Sequence, residues 1–256
     1  MRFLAIFLVV FLPLIALATL LKGNMNENDL IKDVASDAYL KVAELKIVVP
    51  IVALNEPRYA HESNSFSLRR AFFSTEASLE ERAKFKKLSE QPETAPKVDR
   101  VEILISQYQY FGERTSSTKI CPLLKRDWAI YFCEGKRKEL MKELPEKFYI
   151  ADKNRLDLFS ANYTVGKEKV TDQLHKLKLE SLEADIACDA DGKFCTAGVQ
   201  TTPATLAVWT VWASPLTTAR QLAESQGRAI KAFVKHAIGQ HPDFKKMETE
   251  ITSVNR

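Results

Sequence analysis

The chain has 256 residues, 46% hydrophobic and 27% charged, with a formal net charge of +4. These are ordinary values for a folded globular protein large enough to bury a sizeable core. Eight glycines with no G-x-G-x-x-G or Walker pattern argue against a phosphate-cradling loop. The basic clusters at Lys84, Lys86 and Lys87 and at Lys136, Arg137 and Lys138 read as solvated helix faces, so no nucleic acid partner is expected.

The chain opens with Met1-Arg2, then nineteen uncharged residues from Phe3 to Leu21, then Lys22. The run has no polar face and would reach about 28 Å as a helix, enough to span a hydrocarbon core. It reads as a signal peptide or an uncleaved signal anchor over residues 1–22. Ala16 and Ala18 form a small-x-small cleavage site, and Pro13 would break the helix just before it. Either way the rest of the chain is expected outside the cytoplasmic membrane, periplasmic, secreted or held there by one span. An uncleaved run would make the membrane itself a partner.

Residues 24–90 read as a mainly helical N-terminal part. A helix is expected from Glu27 to Glu44, on the spacing of Leu30, Val34, Ala38 and Val42. The β-branched run 47–54 follows, and Pro50 confines it to a sheet edge or breaks it. Residues 55–73 show no period. Ser78 with Glu81 forms a capping box for a helix to Ser89. Residues 91–96 read as a linker and the place for an internal boundary.

The second half, 98–241, reads as an α+β core. Val101–Tyr110 and Trp128–Cys133 are expected strands, with a short helix from Lys136 to Leu144 ended by Pro145. Two further strands, Phe148–Ile150 and Leu156–Phe159, would flank the turn Asp152-Lys153-Asn154. Lys167–Ala184 reads as a helix. Thr205–Trp212 is apolar on both faces, with Leu206, Val208 and Trp212 on one and Ala207, Trp209 and Val211 on the other, which marks a central strand. Ser214 and Pro215 begin the clearest helix, which runs to Ile238 with Gly239 beyond it. Residues 242–256 read as a charged, mobile tail. The expected fold class is α+β: a mainly antiparallel sheet over about 99–213, with the Pro215–Ile238 helix on one face. Helices from 27–90 would cover the other side or an edge.

Four cysteines, Cys121, Cys133, Cys188 and Cys195, suit two disulfides in an oxidising compartment. A hairpin turned at Asp191-Gly192 pairs Asp189 with Phe194 and then Cys188 with Cys195, as a hydrogen-bonded pair about 5.5 Å apart. The same closing logic joins Cys121 to Cys133. A four-thiolate metal site lacks the C-x2–4-C knuckles it would need.

Recognisable catalytic patterns fail on inspection. His61, His175, His236 and His241 are scattered, and the last two are off the spacing of a helical zinc pair. Ser116-x-x-Lys119 lies in a polar stretch with no K-T-G after it. Asp189-x-Asp191-Gly192 lacks both end ligands of a calcium loop. No cofactor or metal is expected. Asn162-Tyr163-Thr164 is a glycosylation sequon if the host glycosylates. Tyr108, Tyr110 and Phe111 have the composition of a protein interface. The function expected is therefore that of an exported, non-enzymatic protein that binds another protein, of inhibitor or immunity type. The alternative is an envelope hydrolase with an acidic site among Asp127, Glu134, Asp152 and Asp157.

Overall fold

The computed structural model describes residues 26–51, 65–69, 93, 95–104, 119–133, 142–158, 164–165, 168–169, 173–179, 183–192, 194–212 and 215–254. In chain order the elements are α1 (Glu27–Ala35), β1 (Asp37–Val42), β2 (Leu45–Pro50), β3 (Ser65–Arg69), β4 (Lys97–Val98), β5 (Arg100–Leu104) and α2 (Arg126–Cys133). Then come β6 (Lys147–Asp152), β7 (Thr164–Val165), β8 (Glu168–Lys169), β9 (Asp185–Cys188), β10 (Cys195–Thr202), β11 (Thr205–Val211), α3 (Leu216–His236) and α4 (Phe244–Val254). The α+β class with antiparallel-rich sheets stands.

α1 is short for a local reason. Asn26 caps it by accepting from the Asn28 N–H, and Glu27 and Asp29 suit the positive end of its dipole. Leu30, Ile31 and Val34 are buried. Ser36 then closes the helix through the Asp33 carbonyl, which accepts from both its N–H and its hydroxyl. The expected continuation to Glu44 is instead β1. Val34, Ala38 and Val42 fit a helical stripe, but Ala38, Leu40 and Val42 also alternate, and it is the alternating set that is buried. β1 turns at Ala43-Glu44 into β2, with Val42 facing Leu45. Ala43 takes φ +51°, so no Gly, Asn or Asp marks the turn. β2 is an edge strand, as Pro50 requires, in a three-stranded sheet of order β2-β1-β4. Within 24–90 the described residues hold one helix and three strands.

The second sheet has the order β3-β5-β6-β11-β10-β9, antiparallel except for the parallel pair β3/β5. β11 is central, and both its faces are buried as its pattern demands. Ala207, Trp209 and Val211 join the main core, while Leu206 and Val208 join a small cluster on the opposite face. α3 packs on the main-core side. Its Gly227 permits that approach, since a Cβ there would lie 2.8 Å from the Ala184 Cβ and 3.5 Å from the Trp209 ring. Phe233 meets Phe148 edge to face at 5.9 Å. α1 and the β1–β2 hairpin belong to this same core rather than to the other side of the sheet.

Four further expectations change. Trp128–Cys133 lies in a helix, α2, in which Trp128 is buried. Leu156–Leu158 is part of a 3-10 helix, Lys153–Leu158, begun by Asp152 accepting from the Asn154 N–H. The 167–184 stretch is not one helix. It contains β8, a single helical turn at Gln173-Leu174 and described residues without regular structure, yet Leu174, Leu177 and Leu179 still pack on the sheet. The 242–256 tail is instead α4, capped by Asp243 and buried through Phe244, Met247 and Ile251. Spacing of i, i+3 and i+7 was present there, masked by charged neighbours. α3 begins at Leu216 with Pro215 at its cap, and ends at His236 with Ala237 following. The expected capping box at Ser78 and the helix 136–144 fall mostly outside the described residues. No described helix is long and apolar enough to cross a membrane, and the apolar run 1–21 also lies outside the described residues.

Candidate interaction site

The hairpin β9–β10 places its cysteines as the register demanded. Cys188 faces Cys195, and their sulfurs are joined. The pair is the closer, non-hydrogen-bonded kind, with Cα atoms 3.9 Å apart, because the preceding pair takes the hydrogen bond: the Asp189 N–H donates to the Phe194 carbonyl. The turn also differs from the expected two-residue form. The Gly192 N–H donates to the Asp189 carbonyl, so Ala190 and Asp191 are the central residues and only Gly192 has positive φ, at +66°. The Asp189 carboxylate, buried, accepts from the Phe194 N–H and holds that residue in place. Cys121 is likewise disulfide-bonded, and no described cysteine is free. The Cys133 side chain lies outside those described. Disulfides of this kind form in oxidising compartments.

The same end of the sheet carries the largest exposed apolar side chain described. Trp212 follows β11 and is 69% exposed. Its ring meets Phe194 edge to face at 4.7 Å. The β10–β11 register, Cys195 opposite Val211, brings Phe194 and Trp212 side by side on the face of Leu206 and Val208. Leu216, at the start of α3, is 52% exposed nearby in the chain. Trp212 is thus an exposed apolar side chain packed on an aromatic partner that adjoins a cross-linked turn. Sequence reading placed Trp212 on the correct strand face and took the strand as central. The missed signal is that the strand stops at Val211, one residue short of the tryptophan.

Other titratable clusters serve the fold. On the outer face, the Tyr149 hydroxyl donates to Glu102, which also pairs with Lys147 at 3.3 Å, and Arg100 and Lys147 flank the Tyr149 ring. At the α3–α4 corner, buried His236 reaches Glu250 at 2.7 Å through Nε2, with Lys235 beside it. Burial pushes the Glu250 carboxyl up, but the hydrogen bonds from His236 and Lys235 outweigh it and hold the group below its ordinary range. Near α1, the Lys125 ammonium hydrogen-bonds Asp37, which raises its pKa against the opposing effect of burial. Lys119 pairs with Glu27 at 2.7 Å.

Of the carboxylates considered for hydrolysis, Asp127 is exposed in the first turn of α2 and Asp152 ends β6, engaged with the Asn154 N–H. The side chains of Glu134 and Asp157 lie outside those described, as do Tyr108, Tyr110 and Phe111, the sequon Asn162 and the cleavage residues Ala16 and Ala18. Among the described residues no group of three His, Cys, Asp or Glu side chains is placed to hold a metal ion. No protein-family model, no curated protein and no solved structure matches the chain.

Proposed function

We propose that this is an exported protein, working outside the cytoplasmic membrane by binding another protein through the Phe194–Trp212 end of its sheet. The observation that carries the reading is Trp212, 69% exposed and fixed edge to face on Phe194. Tryptophan exposes a large apolar area at an entropy cost of only two side-chain torsions, which is why it dominates contact energies where it occurs. The disulfide one residue from Phe194 supports a contact surface that is rigid before binding, and it supports export. An inhibitor or immunity role fits such a surface.

The test is affinity capture from the producing cell's extracytoplasmic fraction, comparing the wild-type chain with Trp212→Ala. Truncating an exposed side chain should leave the melting temperature unchanged. The reading expects a specific partner held by the wild type to be weakened by at least tenfold, the scale of a contact hot spot above about 1.4 kcal/mol. Equal retention of every captured protein by the two chains sinks it.

A further inference from the structure

The outer face of the six-stranded sheet is covered across β6, β11 and β10 by a strap, residues 173–179. Leu174 and Leu179 are buried there with Ala151, Leu206 and Val208, and Leu177, Phe194 and Tyr149 each pack partly buried against this cluster. Gly198 makes room for the strap: a Cβ at that position would lie 2.9 Å from Leu177 Cδ1 and 3.2 Å from Leu179 Cδ2. Beyond one helical turn the strap has no regular structure. Its backbone bonds include Lys176 N–H to the Gln173 carbonyl and Leu177 N–H to the Leu174 carbonyl. Side-chain bonds also hold it, among them the Asp185 carboxylate accepting from the Lys178 N–H at 2.6 Å.

The strap also carries a defect. Gln173 is fully buried, and its carbonyl oxygen accepts from the Thr196 hydroxyl, itself 1% exposed. Its amide nitrogen Nε2 is buried and has no hydrogen-bond partner among the described residues. Turning the amide over only exchanges which of its two atoms is orphaned. An unsatisfied buried donor opposes closure, because opening returns it to water. A leucine-rich cover without regular structure beyond one turn, carrying an orphaned amide, has the character of a low-stability local unit.

We propose that the 173–179 strap is a displaceable cover that opens while the sheet stays folded. Opening bares Ala151, Leu206 and Val208, which continue the apolar surface that begins at Phe194 and Trp212. The strap therefore regulates how much of that surface a partner meets. This use rests on the proposed contact site, but opening is a property of the isolated protein, so either can fail while the other stands.

Amide hydrogen exchange on the free protein tests it, read at Lys176, Leu177 and Lys178 against the interior amides of β10 and β11. In the wild type the strap amides should exchange on the order of 100-fold faster than the sheet. The paired variant Gln173→Leu with Thr196→Val removes the orphan and its hydroxyl partner together. It should slow the strap by about tenfold while leaving the sheet unchanged. Asp185→Ala, which cuts the Lys178 tether, should speed the strap, again without moving the sheet. Strap amides exchanging at the sheet's rate in the wild type would overturn the proposal. So would a paired variant whose strap is not slowed, or is slowed only as much as the sheet.

Discussion

Phe244 decides whether the C-terminal residues are a helix docked in the core or a loose tail. The side chain is 2% exposed and meets Trp128 edge to face at 4.8 Å, with Met247 and Ile251 buried on the same side of α4. Phe244→Ala removes a buried ring and leaves a cavity that Trp128, held in α2, cannot fill without moving its helix. Substitutions of this kind cost about 3–5 kcal/mol. At roughly 2–4 °C per kcal/mol for a chain of this size, the melting temperature should fall by about 6–20 °C. The assay is thermal and urea denaturation of the variant beside Lys245→Ala, an exposed neighbour that should change stability by less than about 0.5 kcal/mol. A loss at Phe244 no larger than that at Lys245 would show that α4 is not part of the folded core, and the tail reading of the sequence would be restored.

Ala43→Gly should stabilise the protein by up to about 1 kcal/mol, because Ala43 holds φ +51° in a hairpin turn; a melting temperature that falls instead refutes the strained turn. Gly227→Ala should destabilise by about 1–2 kcal/mol although alanine favours helix, since its Cβ would lie 2.8 Å from the Ala184 Cβ. Adding Ala184→Gly should return most of that loss in a double-mutant cycle. The Glu250 carboxyl is held below its ordinary value of 4.5, so its contribution is present above that pH and is lost as pH falls below it. Acid unfolding of His236→Gln, followed by circular dichroism, should show a smaller stability loss between pH 5 and 3 than the wild type; identical pH dependence would remove the His236–Glu250 pair from the explanation.

Legibility in the sequence tracked how local the deciding physics was. β11 was readable because a central strand buries both faces, and its two sets of residues fall on the faces expected. The Cys188–Cys195 register was readable because the two cysteines, at a sequence separation of 7, belong to a single hairpin and counting settles their pairing. α3 was readable from a 3.6-residue stripe that its packing uses, apart from Leu222, which is 38% exposed. β1 was not, since Ala38 and Val42 satisfy both periods and the arbiter is a turn at Ala43 that carries no turn residue. The 167–184 stretch misled for a related reason: Leu174 and Leu177 sit at helical spacing, but they share a single turn that packs on a sheet face. In the candidate site, the cross-linked turn was visible and the exposed tryptophan was not, because exposure depends on where β11 stops relative to its neighbours.

The main core takes residues from Leu30, in the first described helix, through to Ile251, in the last. A chain that emerges N-terminus first, from a ribosome or through a translocation pore, therefore pairs β1 with β2 early but holds α1 and that hairpin without the α3 and α4 part of their core until those helices have been delivered. The Ile238 carbonyl, which accepts from the Val48 N–H on the edge of β2, makes the same point for the backbone: that edge is sealed by a residue just beyond α3. Delivery of α3 and α4 is therefore what lets the main core close around the first helix and hairpin.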